Sequence, residues 1–138
     1  MTPDPNTSAR APEPVGPYPH FRRAGGLLFL SGIGPRVRGS KEVPGVTLGP
    51  EGEIRSYDFD LQCRQVFENV RLILEDAGSA WDKIVDVTVF LTNMNDFAAM
   101  NRHYAEAFPA NKPTRTTVEV SRLPTPIAIE LKVIAAIE

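Results

Sequence analysis

The chain has 138 residues, a formal net charge of −2 at pH 7 and a single cysteine. This length suits one domain with its own core, and one cysteine excludes both an intramolecular disulfide and a zinc site built from thiolates. The charge balance provides no overall basic character of the kind that favours nucleic acid, and no apolar run approaches the roughly 18 residues of a membrane span. The N-terminus has no apolar stretch typical of a secretory signal, so we expect a cytoplasmic protein.

The first 17 residues predict a flexible leader before a single domain over residues 18–138. Five prolines fall within this leader and few of its side chains are apolar, so it cannot form a regular helix and has little to bury. Two short extended runs, His20–Ala24 and Leu27–Ser31, then flank Gly25-Gly26 and predict a β-hairpin.

Residues 32–57 are rich in glycine and proline and predict a long loop, with a brief strand at Val43–Leu48. Ordered loops of this length are uncommon and are usually functional or mobile. Apolar side chains then recur every three or four residues, which predicts an amphipathic helix between Asp58, a candidate helix cap, and Gly78, a candidate helix stop. The remaining predicted elements are a strand, a helix and two strands, at Ile84–Leu91, about Asp96–Phe108, Thr114–Arg122 and Ile127–Ile137.

The resulting order β-β-α-β-α-β-β predicts an α+β domain in which one sheet carries both helices on a single face. The other face of this sheet would remain partly apolar in an isolated chain. Such a face favours association with further copies of the protein, so we expect a homo-oligomer.

Two polar residues, Asn101 and Glu130, interrupt the apolar patterns, and a third, Arg115, is a candidate because of its chemistry alone. Glu130 lies in a strand that is otherwise apolar on both sides; it needs a salt bridge or hydrogen-bond donors, or its pKa rises toward the range of a general base. Arg115 is either a solvated strand arginine or a group that holds a carboxylate through two parallel hydrogen bonds. Asn101 falls on the apolar side of the second helix, where it either ties down a loop carbonyl or contacts a ligand.

Two further side chains have both a structural and a functional interpretation. Ser31 ends a predicted strand, and its hydroxyl either caps the following loop or contacts a ligand. Tyr18 is either a surface ring or the aromatic wall of a pocket.

The sequence predicts neither a metal site nor a bound cofactor. His20 and His103 share no ligand spacing with acidic residues, and Cys63 lies in a helical apolar stripe, where a thiol usually acts as a small hydrophobic group. Gly32-Ile33-Gly34 lacks the third glycine and the helix start of a dinucleotide-binding loop.

An ordered set of motifs over about residues 16–137 resembles the Rid (reactive intermediate/imine deaminase) family. A single one of these motifs would be weak, but their order along the chain is specific. The motifs are Gly16-Pro17-Tyr18, Leu28–Gly32, Gln62–Asn69, Val87–Leu91, Asn95–Asn101, Pro113–Val118, Leu123-Pro124 and Ile129-Glu130.

The resemblance implies a chorismate-mutase-like fold and a homotrimer whose sheets form a central barrel, with ligand sites between subunits. It also implies hydrolysis of 2-imino or 2-enamino acids to 2-oxo acids and ammonia, without metal or cofactor. By motif, Arg115 corresponds to the family's carboxylate-binding arginine and Glu130 to the acid near the attacking water. Tyr18, Ser31 and Asn101 correspond to residues that line the pocket.

Two departures from the family pattern narrow the resemblance to the 2-aminomuconate deaminase branch. Residues 33–57 are longer than is usual in the family and carry Arg36, Arg38 and Lys41, and Pro19-His20 follows the tyrosine. Because 2-aminomuconate has two carboxylates, a second cation such as Arg36, Arg38 or His20 would be useful.

Several functions remain open from the sequence. A 2-iminopropanoate-type deaminase of broad specificity is the alternative substrate class. The same arginine would also serve a carboxylate-sensing protein without turnover. RNA-acting or chaperone-like roles are sometimes attached to the family, although the acidic composition disfavours RNA.

Overall fold

The computed structural model describes residues 5–40 and 42–137, so Lys41 lies outside the described residues. Two short 3₁₀ turns, Trp81–Lys83 and Met94–Asp96, precede the fifth strand and the second helix. The strands and helices in chain order are β1 (Phe21–Ala24), β2 (Leu27–Leu30), β3 (Val46–Leu48), β4 (Ile54–Tyr57), α1 (Phe59–Asp76), β5 (Ile84–Leu91), α2 (Phe97–Ala107), β6 (Thr114–Glu119) and β7 (Ile129–Ala136).

The main sheet has five strands in the order β1-β2-β7-β5-β6. Strands β5 and β6 run parallel, because α2 connects them, whereas the other neighbours pair antiparallel. The predicted α+β class with two helices is therefore confirmed. Strands β6 and β7 are shorter than predicted: β6 ends at Glu119 and β7 begins at Ile129.

Alternation along the central strands separates two faces of the sheet. On β7, Ile129, Leu131, Val133 and Ala135 are buried and join the core beneath the helices, and we call this the helix side. The residues between them, Glu130, Lys132, Ile134 and Ala136, are half-buried and lie on the opposite, open face. Helix α1 packs against β7, and α2 contributes the buried Met100 to the same core.

Helix α1 begins and ends as the sequence predicts. The Asp58 carboxylate accepts a hydrogen bond from the Leu61 N–H, and the backbone adopts a positive φ at Gly78, just after the helix. Within the helix, the buried Gln62 accepts a hydrogen bond from the Ala128 N–H at 2.8 Å and donates one to the Pro44 carbonyl at 3.2 Å. Gln62 thereby connects the start of β7 to the long segment before α1.

The segment predicted as a long loop over residues 32–57 contains a second, two-stranded sheet. The predicted strand Val43–Leu48 shortens to β3, and its partner β4 was not predicted. Strand β4 has the sequence Ile-Arg-Ser-Tyr, which carries too little apolar character to stand out from a loop. The start of the segment is held by the buried Asn69, which donates hydrogen bonds to the carbonyls of Gly34 and Arg36.

Part of the predicted flexible leader is bound to the body of the protein, which corrects the prediction for residues 5–17. Ser8 and Ala11 are buried. The Ser8 hydroxyl donates to the Asp76 carboxylate at 2.5 Å, and Arg10 forms an ion pair with the same group. Arg38 donates to the Ala11 carbonyl at 2.8 Å. Because polar contacts to distant residues hold this segment, its low apolar content did not reveal it.

Within the described residues, no helix combines the length and apolar character needed to cross a membrane.

Candidate active site

The structure divides the predicted site residues between the two faces of the main sheet. Arg115 on β6 is in register with Val87, whose side chain lies in the core, so Arg115 lies on the helix side. Glu130 on β7 is in register with Phe90 and lies on the open face. Within one chain, the arginine and the acid that the sequence analysis grouped together therefore do not converge.

The Arg115 guanidinium lies against two aromatic rings of α2. Its Cζ is 4.6 Å from the centre of the Tyr104 ring and 5.5 Å from that of Phe97. Its Nε donates to the Thr117 hydroxyl at 2.8 Å, as expected from their shared face of the strand. The aromatic faces stabilise the cation but do not neutralise it.

Arg115 carries a buried charge without a counter-ion. Its Nη2 is buried and has no hydrogen-bond partner, and no carboxylate lies within ion-pair distance in the described part of the chain. Burial lowers the pKa of Arg115 from its ordinary value, yet an arginine stays protonated in proteins. Arg115 as a whole is half-buried, and a partly desolvated cation of this kind is stabilised when an anion binds to it, so this position can hold a carboxylate.

Asn101 lies on α2 between Phe97 and Tyr104, and it follows Phe97 by one helical turn. Its side chain is exposed, which corrects the prediction that it faces the core. The reason is that Met100 and Phe108 occupy the core, whereas the Phe97 edge of the helix lies over the sheet margin and is 42% exposed. Asn101 is therefore exposed on α2, between the two residues whose rings contact Arg115.

The second group of predicted residues surrounds Gly32. A narrow cleft of about 20 Å³ is lined by Tyr18, Gly32 and Glu130, together with Arg36 and Thr125 among others. A Cβ atom at Gly32 would come within 2.6 Å of Glu130 Oε2, so only glycine leaves space for the carboxylate in this position. The cleft of the isolated chain is about large enough for one water molecule.

Ser31 and Tyr18, the other two predicted residues near Gly32, form hydrogen bonds with the backbone. The Ser31 hydroxyl donates to the Pro19 carbonyl at 2.7 Å, and the Ser31 N–H donates to the His20 carbonyl. The Tyr18 hydroxyl accepts a hydrogen bond from the Val15 N–H at 3.3 Å, and the residue is 40% exposed. Tyr18 thus borders the cleft, whereas Ser31 caps the strand end next to Gly32 and is not part of the cleft lining.

Glu130 is the acidic counterpart of Arg115. It forms no salt bridge and no hydrogen bond with the described residues, so the ion-pair alternative from the sequence is not realised there. Burial alone raises the pKa of its carboxyl group. A carboxylate with a raised pKa beside a space for one water is suited to accept a proton from that water.

Cys63 is excluded as a nucleophile by its surroundings. The thiol is fully buried against the Met100 sulfur at 3.6 Å, and burial raises its pKa to about 12. The reactive thiolate is therefore absent at neutral pH. Among residues 5–40 and 42–137, no three His, Cys, Asp or Glu side chains cluster closely enough to hold a metal ion.

Sequence reasoning did not identify Tyr104, Phe97 and Gly32 as parts of these two groups. Tyr104 and Phe97 were assigned to the apolar stripe of α2, and their spacing of seven residues gave no sign of a cation below them. Only the register of β6 with β5 shows that Arg115 lies under these rings, and register depends on pairing between strands that are distant in sequence.

The raised pKa of Glu130 predicts a specific effect on stability. Because the folded-state pKa lies above the ordinary value, the protonated carboxyl stabilises the fold at low pH, and this contribution is lost as pH rises through the folded-state pKa. In the separated chain, where the acid forms no ion pair with the described residues, replacing it by its neutral analogue, Glu130→Gln, should therefore increase the free energy of unfolding at pH 7, with a gain that shrinks as pH approaches 4. Urea denaturation at a series of pH values measures this difference. The exposed Glu106→Gln serves as control, and a Glu130→Gln protein less stable than its parent at pH 7 would contradict the account.

Comparisons with known proteins match this fold and sequence over nearly their whole length. The family model described as endoribonuclease L-PSP matches residues 8–137. A RutC family protein from Pyrococcus horikoshii is 45% identical over 91% of this chain and 90% of its own length. A 2-iminobutanoate/2-iminopropanoate deaminase from Dermatophagoides farinae is 35% identical over 93% of this chain and 91% of its own.

Solved structures agree with the sequence matches. The crystal structure of Escherichia coli TdcF with bound serine superposes with a TM-score of 0.78 and 35% identity, covering 92% of this chain and 93% of that one. The family predicted from the motifs is thus confirmed at the level of the family as a whole. The chain belongs to the Rid family, also described as the RutC or L-PSP family.

Proposed function

We propose that the protein is a hydrolase of carbon–nitrogen bonds that converts a 2-imino or 2-enamino acid into the 2-oxo acid and ammonia. The observation that carries the proposal is the half-buried Arg115 guanidinium, which has no counter-ion among the described residues and whose Nη2 has no hydrogen-bond partner. Such a group is suited to bind the carboxylate of a small acid. Glu130, the second half-buried charge without a partner among the described residues, supplies the base.

In the proposed reaction, Arg115 positions the substrate and Glu130 transfers the protons of hydrolysis. Arg115 binds the substrate carboxylate and fixes the neighbouring imine carbon, which is electrophilic once an enamine has tautomerised to the imine. Glu130 accepts a proton from a water molecule as its oxygen attacks that carbon. Glu130 returns this proton to the nitrogen, which gives the neutral carbinolamine. In the collapse, Glu130 takes the hydroxyl proton as the C=O bond forms and passes it to the nitrogen, the C–N bond breaks, ammonia leaves and the 2-oxo acid remains.

The two groups must come from two copies of the chain in this scheme. Arg115 and Glu130 lie on opposite faces of one sheet, and the cleft beside Glu130 has a volume of about 20 Å³, too small for a substrate. We therefore propose that the Arg115 surface of one copy closes the Glu130 cleft of another. A homotrimer with one such site at each interface fits this arrangement.

Two relatives support a small amino-acid-like substrate. One is named as a 2-iminobutanoate/2-iminopropanoate deaminase, and another has serine bound in its crystal. A carboxylate-sensing protein would need the same arginine, but it would have no use for an unpaired acid beside a water-sized cleft. An RNA-acting role is suggested by the family description as an endoribonuclease, yet the chain carries a net charge of −2.

The finer substrate that we propose is 2-aminomuconate, which carries a second carboxylate. Of the cations suggested by the sequence, Arg36 lines the Glu130 cleft and has no carboxylate within ion-pair distance among the described residues. Arg38 is paired with Glu13, and His20 is buried with both ring nitrogens hydrogen-bonded. Arg36 is therefore the best placed partner for a distal carboxylate, and a broadly specific 2-iminopropanoate-type deaminase is the alternative.

Replacing Arg115 tests the proposed activity. Arg115→Ala should lower kcat/KM for imine hydrolysis by about 10²–10³-fold, because the substrate loses its charge-assisted anchor. Folding should be retained, since a buried unpaired charge is removed. Ammonia release from 2-iminopropanoate and from 2-aminomuconate, corrected for the spontaneous reaction, measures the rate.

The control for this variant is Arg102→Ala, which removes an exposed arginine of α2. It should keep the parent activity. Unchanged turnover in Arg115→Ala would rule out the mechanism. A parent protein that binds 2-oxo acids but releases no ammonia from either substrate would indicate a sensor instead.

Arg36 tests the substrate assignment. Arg36→Ala should reduce kcat/KM for 2-aminomuconate about tenfold or more, because one carboxylate loses a charged partner, while activity on 2-iminopropanoate stays within about twofold. The exposed Arg55→Ala is the control. Equal losses for both substrates, or none for either, would show that Arg36 does not distinguish a dicarboxylate.

A further inference from the structure

The Tyr104 hydroxyl is a buried polar group without a partner. Tyr104 itself is half-buried, but its hydroxyl oxygen is out of contact with solvent and accepts or donates no hydrogen bond within the described part of the chain. The Arg115 Nη2 atom is likewise buried and has no hydrogen-bond partner within the described residues. Buried tyrosine hydroxyls usually find a partner, because an unpaired one costs free energy. An unpaired hydroxyl on a ring that lies against a guanidinium with an unpaired nitrogen indicates a ligand that would satisfy both.

These two groups belong to one contact. The Arg115 guanidinium carbon lies 4.6 Å from the centre of the Tyr104 ring. A bound carboxylate has two oxygens and about four acceptor positions, so it can accept hydrogen bonds from a guanidinium and from a hydroxyl together. A single small acid is therefore sufficient to pair both groups.

The position of the Tyr104 ring does not depend on its hydroxyl. The ring packs on Phe108 with 4.5 Å between ring centres, and Phe108 stacks on Trp81 at 4.8 Å. The Trp81 indole N–H donates to the Ala107 carbonyl at 2.8 Å and so fixes the outer ring of this cluster. Aromatic packing thus holds Tyr104 against Arg115 and leaves the hydroxyl available for another role.

We propose that the Tyr104 hydroxyl donates a hydrogen bond to the carboxylate that Arg115 binds, which makes Tyr104 a substrate-binding residue. The inference rests on the proposed function only in that Arg115 binds a carboxylate; it does not require turnover. Burial raises the pKa of Tyr104, so the hydroxyl keeps its proton and acts as a donor. The bond forms with a part of the substrate that does not react, so it should contribute equally before and during the reaction.

The test compares Tyr104→Phe with Tyr57→Phe. Tyr104→Phe removes an unpaired hydroxyl, so its melting temperature should equal or exceed that of the parent protein, whereas its affinity for 2-oxobutanoate should fall about 10- to 100-fold. KM for the imine should rise by a similar factor, with kcat within about twofold. The Tyr57 hydroxyl donates to the Asp96 carboxylate at 2.6 Å, so Tyr57→Phe should lower the melting temperature and leave the affinity unchanged.

Titration calorimetry with 2-oxobutanoate and steady-state kinetics provide the readouts. Unchanged affinity in Tyr104→Phe would overturn the inference, as would a loss of kcat without a change in KM, which would place the hydroxyl in the reaction itself. If the parent binds 2-oxobutanoate through Arg115 but releases no ammonia, the deaminase proposal fails while weaker binding by Tyr104→Phe still supports this inference. A parent protein that binds no 2-oxo acid overturns both.

Discussion

The register of β5 with its two neighbours determines where the chemistry of this protein can take place. Pairing of Val87 with Arg115 puts the arginine on the helix side, and pairing of Phe90 with Glu130 puts the acid on the open face. Both charges lie in partly desolvated positions without a counter-ion in the described chain. The Arg115 group and the Glu130 group are therefore each incomplete as a site, and the sheet separates them. An anion on one side and a second copy on the other are what would complete the arrangement.

This arrangement is costly for an isolated chain, which makes it informative. A folded protein usually pairs its buried charges or exposes them, because desolvating an ion without a partner is strongly unfavourable. Elsewhere in the described residues, even arginines at the surface lie beside carboxylates: Arg10 pairs with Asp76, and Arg71 pairs with Glu68 and Glu75. The contrast supports the roles that we propose for Arg115 and Glu130 in binding and catalysis.

Local patterns in the sequence were sufficient for both helices, for the strands of the main sheet and for the unusual position of Glu130 in an apolar strand, but not for β4 or for the character of Arg115. Helix α1 with its Asp58 cap, strand β5 and the face shared by Arg115 and Thr117 follow from spacing over a few residues. The placement of Arg115 and Glu130 on opposite faces does not, because it depends on strand order and register. The contacts of Gln62 with Ala128 and of Ser8 with Asp76 likewise join residues that are more than 60 positions apart.

The most direct test of the two-copy site is complementation between two inactive variants. Arg115→Ala keeps an intact Glu130 surface, and Glu130→Gln keeps an intact Arg115 surface. If one site needs both surfaces from different copies, an equal mixture that has exchanged subunits should regain about one quarter of the parent activity, since one interface in four pairs two intact halves. A mixture that exchanges subunits yet stays as inactive as its components would contradict the account.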